Sequence, residues 1–344
     1  MTAVRTVTGM VDARDLGLVL PHEHLHTDVT VAFSRAADPA IAAHLDGPVR
    51  AETSWLLRDN PYQSRDNCTL DDEQAVLDDL REFADWGGCT VVDLSPPGLG
   101  RKPAALAELS RAASVRVIMG SGWYLETTHP REVRQLDVDE LAATLIDEFA
   151  PDRECGPGVI GEIGVSPGFT AGEAKALRAA SVGQRAVRVP LFIHLPGWQR
   201  YAHRVLDLVL DEMGVDPCAV VLCHMDPSGH DTAYQRSVAA RGVYLEFDMI
   251  GMPFEFPGEG QSPSPAETAA VVAGLVDDGY GTQLLLSHDL FLKAMLRKHG
   301  GNGLAYVPTA FAARLVRVGV SPDQVSSLMR DNPRSLFERA AKGS

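Results

Sequence analysis

Val159-Ile160-Gly161-Glu162-Ile163-Gly164 is an apolar, β-branched run that ends on a carboxylate. Strands of a parallel sheet read this way, because helices cover the sheet and leave little room for polar residues. A charge at that depth is costly unless it is paired or bound to a metal. Taken alone, Glu162 is explained slightly better by a salt bridge. The rest of the chain decides the matter, because the arrangement recurs. Leu191-Phe192-Ile193-His194 and Val220-Val221-Leu222-Cys223-His224 end on histidines. Leu284-Leu285-Leu286-Ser287-His288-Asp289 ends on an aspartate. Near the start, Pro21-His22-Glu23-His24 places two imidazoles at i and i+2, on the same face of a strand.

Outward from these runs, strands are expected at residues 17–22, 90–94, 115–120, 159–163, 190–194, 219–224, 243–247 and 283–288. The segments between them carry apolar residues at helical spacing, most clearly 71–86, 171–187 and 200–213. Eight short strands alternating with helices predict a (β/α)8 TIM barrel, in one domain covering residues 1–344. An open doubly wound sheet is the alternative, but no G-x-G-x-x-G follows the first strand. Residues 28–70 and 249–265 interrupt the rhythm. Both follow strand C-termini, the face where barrel enzymes keep their active sites, so they are expected to be lids or surface loops there. The tail, 308–342, is expected to be helical and to pack on the barrel.

Each polar strand end has an ordinary structural explanation, but five strands delivering imidazoles or carboxylates to one rim do not. Four histidines and two carboxylates (His22, His24, Glu162, His194, His224 and Asp289) suit two borderline-soft divalent ions, Zn²⁺ first, with Mn²⁺ and Co²⁺ as alternatives. No G-x-S-x-G elbow suggests a serine nucleophile.

Leu20-Pro21-His22-Glu23-His24, Gly161-Glu162-Ile163-Gly164 and Ser287-His288-Asp289 resemble the phosphotriesterase family of the amidohydrolase superfamily. The tail, with Lys293, Lys298-His299-Gly300-Gly301-Asn302-Gly303-Leu304-Ala305-Tyr306 and Asp331-Asn332-Pro333, resembles the phosphotriesterase-related branch, which carries Glu on strand 4. The resemblance spans residues 8–337. It implies that His22, His24 and Asp289 hold a more buried ion, that His194 and His224 hold a more exposed one, and that Glu162 bridges them. It further implies a bridging hydroxide as nucleophile, Asp289 as the group that takes or relays the proton, and a homodimer. Many phosphotriesterases carry a carboxylated lysine where Glu162 stands. Organophosphate-degrading members carry a histidine where Asp248-Met249 stands, so phosphotriester cleavage is expected only as a side activity. The expected substrate is a small lactone, carboxylic ester or amide.

Further site candidates are Trp123, Tyr124 and Trp198 as pocket walls, and Lys293 and Arg297 as partners for an anionic substrate end. Asp226 would orient a ligand histidine or relay a proton. Glu23, His26, Cys89 and Cys223 read as structural, with Cys223 turned toward the helix layer by strand alternation.

Two other functions fit parts of the pattern. A deoxyribonuclease resembling the TatD family would share H-x-H and Gly-Glu-Ile-Gly. A metal-bound binding protein without catalysis would share the whole site. The formal charge, 31 − 46 = −15, speaks against nucleic acid and anionic membranes as partners. The five cysteines show no C-x-x-C spacing, residues 1–20 do not read as a signal peptide, and no apolar run could span a bilayer. A cytoplasmic location is therefore expected.

Overall fold

The computed structural model describes residues 1–153 and 155–343. Eight parallel strands pair in chain order: β1 (Leu18–Glu23), β2 (Gly88–Asp93), β3 (Arg116–Ser121), β4 (Val159–Gly164), β5 (Leu191–His194), β6 (Val220–Leu222), β7 (Tyr244–Phe247) and β8 (Leu284–Leu286). All eight lie on the expected runs. Just beyond the formal strand ends, the Asp289 N–H donates to the His22 carbonyl (3.2 Å) and the His24 N–H to the Leu290 carbonyl (3.1 Å). These bonds bring β8 onto β1, so the sheet curls into the (β/α)8 barrel.

Strand alternation sorts the core into two shells. Leu20, Val91, Val117, Ile160, Ile193, Leu222, Leu245 and Leu286 pack outward against the helices. Val19, Val92, Ile118, Val159, Phe192, Val221, Tyr244 and Leu285 form the inner cluster. Leu16 from the N-terminal segment joins it, as do Leu336 and Phe337 from the last helix, Asp331–Lys342. The tail therefore packs on the barrel, as expected.

Helix starts follow local chemistry. Ala171–Val187, which matches the expected helix, opens on a capping box in which Thr170 and Glu173 bond each other's backbone N–H. The helix expected over 200–213 is α-helical only over Ala202–Leu206, then widens into a π-helix over Asp207–Glu212. Among the described residues, no helix is long and apolar enough to cross a membrane.

The two insertions meet. The ends of the first are zipped by an antiparallel pair, Thr27–Asp28 with Thr69–Leu70. The second carries a small hairpin, Glu255–Phe256 with Gly260–Gln261. The Glu255 N–H donates to the Arg58 carbonyl (2.7 Å), and the Tyr62 and Phe256 rings lie 5.9 Å apart.

Lys293 anchors the first insertion to the loop after β8. Its ammonium is buried between Asp66 (2.6 Å) and Asp71 (2.9 Å). Arg297 pairs with Glu82 at 3.3 Å and is largely exposed. Neither lines the cavity described below, so the structure corrects their expected role at an anionic substrate end. Carboxylates distant in sequence already neutralise both.

Candidate functional site

The six side chains singled out from sequence converge at the C-terminal rim. His22 and His24 share a face of β1, as their i, i+2 spacing requires. Their Nε2 atoms lie 3.6 and 3.2 Å from Asp289 Oδ1. Glu162 Oε1 lies 2.8 Å from His224 Nε2, 2.9 Å from His194 Nδ1 and 3.7 Å from His22 Nε2. Glu162 thus sits between the β1 histidine and the β5 and β6 histidines.

The donor set fits a divalent cation. His22 Nε2 is fully buried and has no hydrogen-bond partner. Leaving a buried polar atom unmatched is costly, which a ligand would relieve. His22, His24 and Asp289 form one group able to hold an ion; His22, Glu162 and His224 form another. Donors around one tetrahedral Zn²⁺ lie about 3.4 Å apart for bonds of ~2.1 Å, close to the separations at His22 and His24.

Local backbone geometry aims two of these donors. His224 (φ 58°) and Asp289 (φ 49°) occupy the left-handed region, which costs an L-residue about 1–2 kcal/mol. Both are held there. Asp248 accepts from the His224 N–H at 3.0 Å, and Glu23 accepts from the N–H groups of His288 (3.0 Å) and Leu290 (2.9 Å), on either side of Asp289. Glu23 is therefore structural, as expected, and also clamps the loop that presents Asp289. His288 joins the clamp, with Nδ1 2.6 Å from Glu23 and Nε2 accepting from the Val307 N–H. On β4, Gly161 has φ 139°, and a Cβ there would lie 2.7 Å from the Phe192 Cβ. At Gly164 a Cβ would strike the Tyr124 backbone at 2.3 Å. The glycines flanking Glu162 thus let β5 and the loop after β3 close against it.

The left-handed turn at His224 also corrects the placement of Cys223. Strict alternation would turn Cys223 outward if His224 faces inward. Because the backbone breaks period at His224, both face in. Cys223 belongs to the inner cluster and lies with His22, Glu246 and Asp248 in one buried group.

Glu246 and Asp248 were not assigned roles from the sequence. They are fully buried beneath the histidines. Asp248 spans two of them, lying 3.0 Å from His22 Nδ1 and 2.9 Å from His224 Nδ1; Glu246 is also 3.0 Å from His22 Nδ1. With Nδ1–H donated downward, each imidazole presents its Nε2 lone pair to the site. The detectable signal was Glu246-Phe247-Asp248, an i, i+2 acidic pair on β7 matching the histidine pair on β1. Asp226 acts one step further out. Its carboxylate accepts from the Asp248 and Met249 N–H groups and from Thr268. It orients Asp248 rather than a ligand histidine directly.

These carboxylates titrate differently. Burial pushes the Asp248 carboxyl up, but His224 and His22 outweigh it and hold it well below the usual range. Burial also opposes ionisation of Glu162, and again the neighbouring histidines win. Glu246 is pushed up to about 7, chiefly by burial, as is Asp226, with repulsion from Asp248 added in both. Burial raises Asp289 as well.

Above the rim lies a cavity with two adjoining lobes of ≈ 180 and ≈ 220 Å³. His194, His224 and Asp289 form the shared floor, and Tyr62, Tyr124 and Phe291 line both lobes. Trp198, Met252, Phe256 and Glu259 line the second. Tyr124 therefore lines both lobes and Trp198 the second. Trp123 is buried and lines neither lobe, its carbonyl accepting from the Gly164 N–H.

A model of the phosphotriesterase family matches residues 2–337. The chain belongs to that family. It is 32% identical over 342 residues to an N-acetyltaurine hydrolase from Tetraodon nigroviridis, covering 96% of each chain. Among solved structures it resembles a resiniferatoxin-binding protein from Rhodobacter sphaeroides, with a TM-score of 0.95 and 41% identity over 100% of this chain and 97% of the other. A mutant PTE-like lactonase from Deinococcus radiodurans gives a TM-score of 0.74 and 27% identity, covering 97% of this chain and 99% of the other. The chain is accordingly a hydrolase of this family.

Proposed function

We propose that this hydrolase holds two divalent metal ions, Zn²⁺ first, and cleaves a small lactone, carboxylic ester or amide. His22, His24 and Asp289 would hold one ion, His194 and His224 the other, with Glu162 between them. The observation that carries the reading is the convergence of six donors from five strands at one rim, five of them grouped about a buried, unpartnered His22 Nε2 and His194 beside Glu162 and His224. When bound, such ions supply Lewis acidity and lower the pKa of water.

The chain's own residues supply the rest. Asp248 fixes the tautomers of His22 and His224. Asp289 faces the cavity beside His24 Nε2, placed to take the proton that water gives up. The water oxygen joins the acyl carbon, the bond to the alkoxide, phenolate or amine breaks, and the proton ends on that leaving group. Apolar walls limit bulk water. Asp248 lies beneath the rim and does not line the cavity, so it provides no counterpart there to the histidine of organophosphate-degrading members. Phosphotriester cleavage is a minor activity in this reading.

The test combines elemental analysis with a panel of lactones, aryl esters and N-acyl amines. Turnover of at least one class is expected, with Asp289→Asn losing most of it while keeping substantial metal. Full turnover in that variant would remove Asp289 from the proton path. The likeness to a resiniferatoxin-binding protein favours a second reading, a binding protein that keeps the site without catalysis. Full metal occupancy with no turnover across the panel would select it.

A further inference from the structure

Neither lobe of the cavity has a lysine or arginine among its lining residues. The charged group there that stands apart from the six converging donors is Glu259, on the hairpin of the second insertion. It lines that lobe together with an aromatic wall. The Phe256 ring lies 5.8 Å from Trp198 and 5.9 Å from Tyr62. Gly260, the next residue, lets Trp198 pack on the hairpin backbone, since a Cβ there would lie 2.4 Å from the Trp198 ring nitrogen. Glu259 is close enough to Tyr62 and Tyr124 to add to the upward shift that burial gives both phenols, so both remain protonated donors.

The cations of the flanking segments line neither lobe. Arg200 bonds Asp231 and the Trp198 carbonyl, both at 3.3 Å, and Arg65 lies over the Phe33 ring. Arg58 lines a separate cavity, and Lys293 is held by Asp66 and Asp71.

We propose that Glu259, with Trp198, Phe256 and Tyr62, makes the second lobe a charge filter for the non-reacting arm of the substrate. That arm is uncharged or cationic, and a carboxylate or sulfonate arm is disfavoured. Aromatic faces and a carboxylate both attract a cation, and an uncharged apolar arm is covered by the rings. An anionic arm would meet Glu259 with no lysine or arginine of either lobe to offset it. N-acetyltaurine carries a sulfonate, so the filter separates this chain from the N-acetyltaurine hydrolases it resembles. The inference rests on the hydrolase reading.

The test uses three 4-nitrophenyl esters with arms of similar length on the metal-loaded protein: the butyrate, the hemisuccinate and the 4-(trimethylammonio)butyrate. Each hydrolysis consumes water and releases the acid and 4-nitrophenol. The neutral and cationic esters should exceed the hemisuccinate by about a few-fold in kcat/KM, the size expected of an exposed carboxylate acting through solvent. Glu259→Gln should lower the cationic-to-neutral ratio, and Glu259→Lys should raise the hemisuccinate-to-neutral ratio. A hemisuccinate as good as the butyrate, or ratios unmoved by both variants, would overturn the filter while leaving the hydrolase reading intact. If no ester turns over, that reading fails on this class. Binding of the same three compounds, followed by tryptophan fluorescence, then carries the filter: the same order supports it and equal affinities overturn it.

Discussion

The rim of the cavity is supplied by strand ends and its roof by two long insertions. At the rim, four of the six donors are fixed from below: His22 and His224 by Asp248, His24 by Ser95 at 2.9 Å, and Asp289 through the Glu23 clamp. In the roof, the walls are aromatic rings, and Glu259 is solvent-exposed. The difference teaches a division of labour. Chemistry needs donors held against their own backbone preference, whereas selectivity needs a surface that can differ while the barrel stays the same.

If the division holds, damage to the rim should be severe and should remove metal, while damage to the roof should change substrate preference alone. Glu162→Ala should have the largest effect, releasing metal from both positions. Its cost in activity should exceed the roughly 10–100-fold that loss of an outer partner brings. Retention of both ions would show that Glu162 does not join the two halves. Asp248→Asn should weaken metal affinity by about 10–100-fold, measured by chelator competition, because two imidazoles lose their orienting carboxylate. An unchanged affinity would place Asp248 outside the metal's support. Trp198→Ala should raise KM by a few-fold with metal content unchanged; loss of metal would erase the distinction between roof and rim.

The smallest effect lies outside both regions. Asp79, on the helix Glu73–Asp85, is buried and pushed up to about 7, chiefly by burial. A carboxyl raised from 3.8 holds its proton in the folded chain while the unfolded chain has lost it. Its ionisation therefore costs stability progressively as pH rises from about 4 to 7. Asp79→Asn keeps an acceptor for the Arg297 N–H and should gain Tm relative to the parent chain across that window. A constant Tm difference across it would contradict the shift.

The strands were legible because near-continuous apolar runs, each closing on a polar residue, carry a strong local signal. The six converging donors were legible because each sits where such a run stops. Cys223 was misplaced because alternation holds only while φ stays extended, and His224 breaks it. Glu246 and Asp248 were visible as an acidic pair but looked like part of an ordinary half-polar strand. Lys293 and Arg297 could not be judged locally, since their partners Asp66, Asp71 and Glu82 lie more than 200 residues earlier. The aromatic wall likewise arises only where the two insertions meet each other and the loop after β5 that carries Trp198.

Elemental analysis of the purified chain tests the rim most directly. About two transition-metal ions per chain, the number a binuclear site requires, is the expected result. About zero, even after incubation with Zn²⁺ or Mn²⁺, would mean that the six side chains converge without holding metal, and the proposed mechanism would fall.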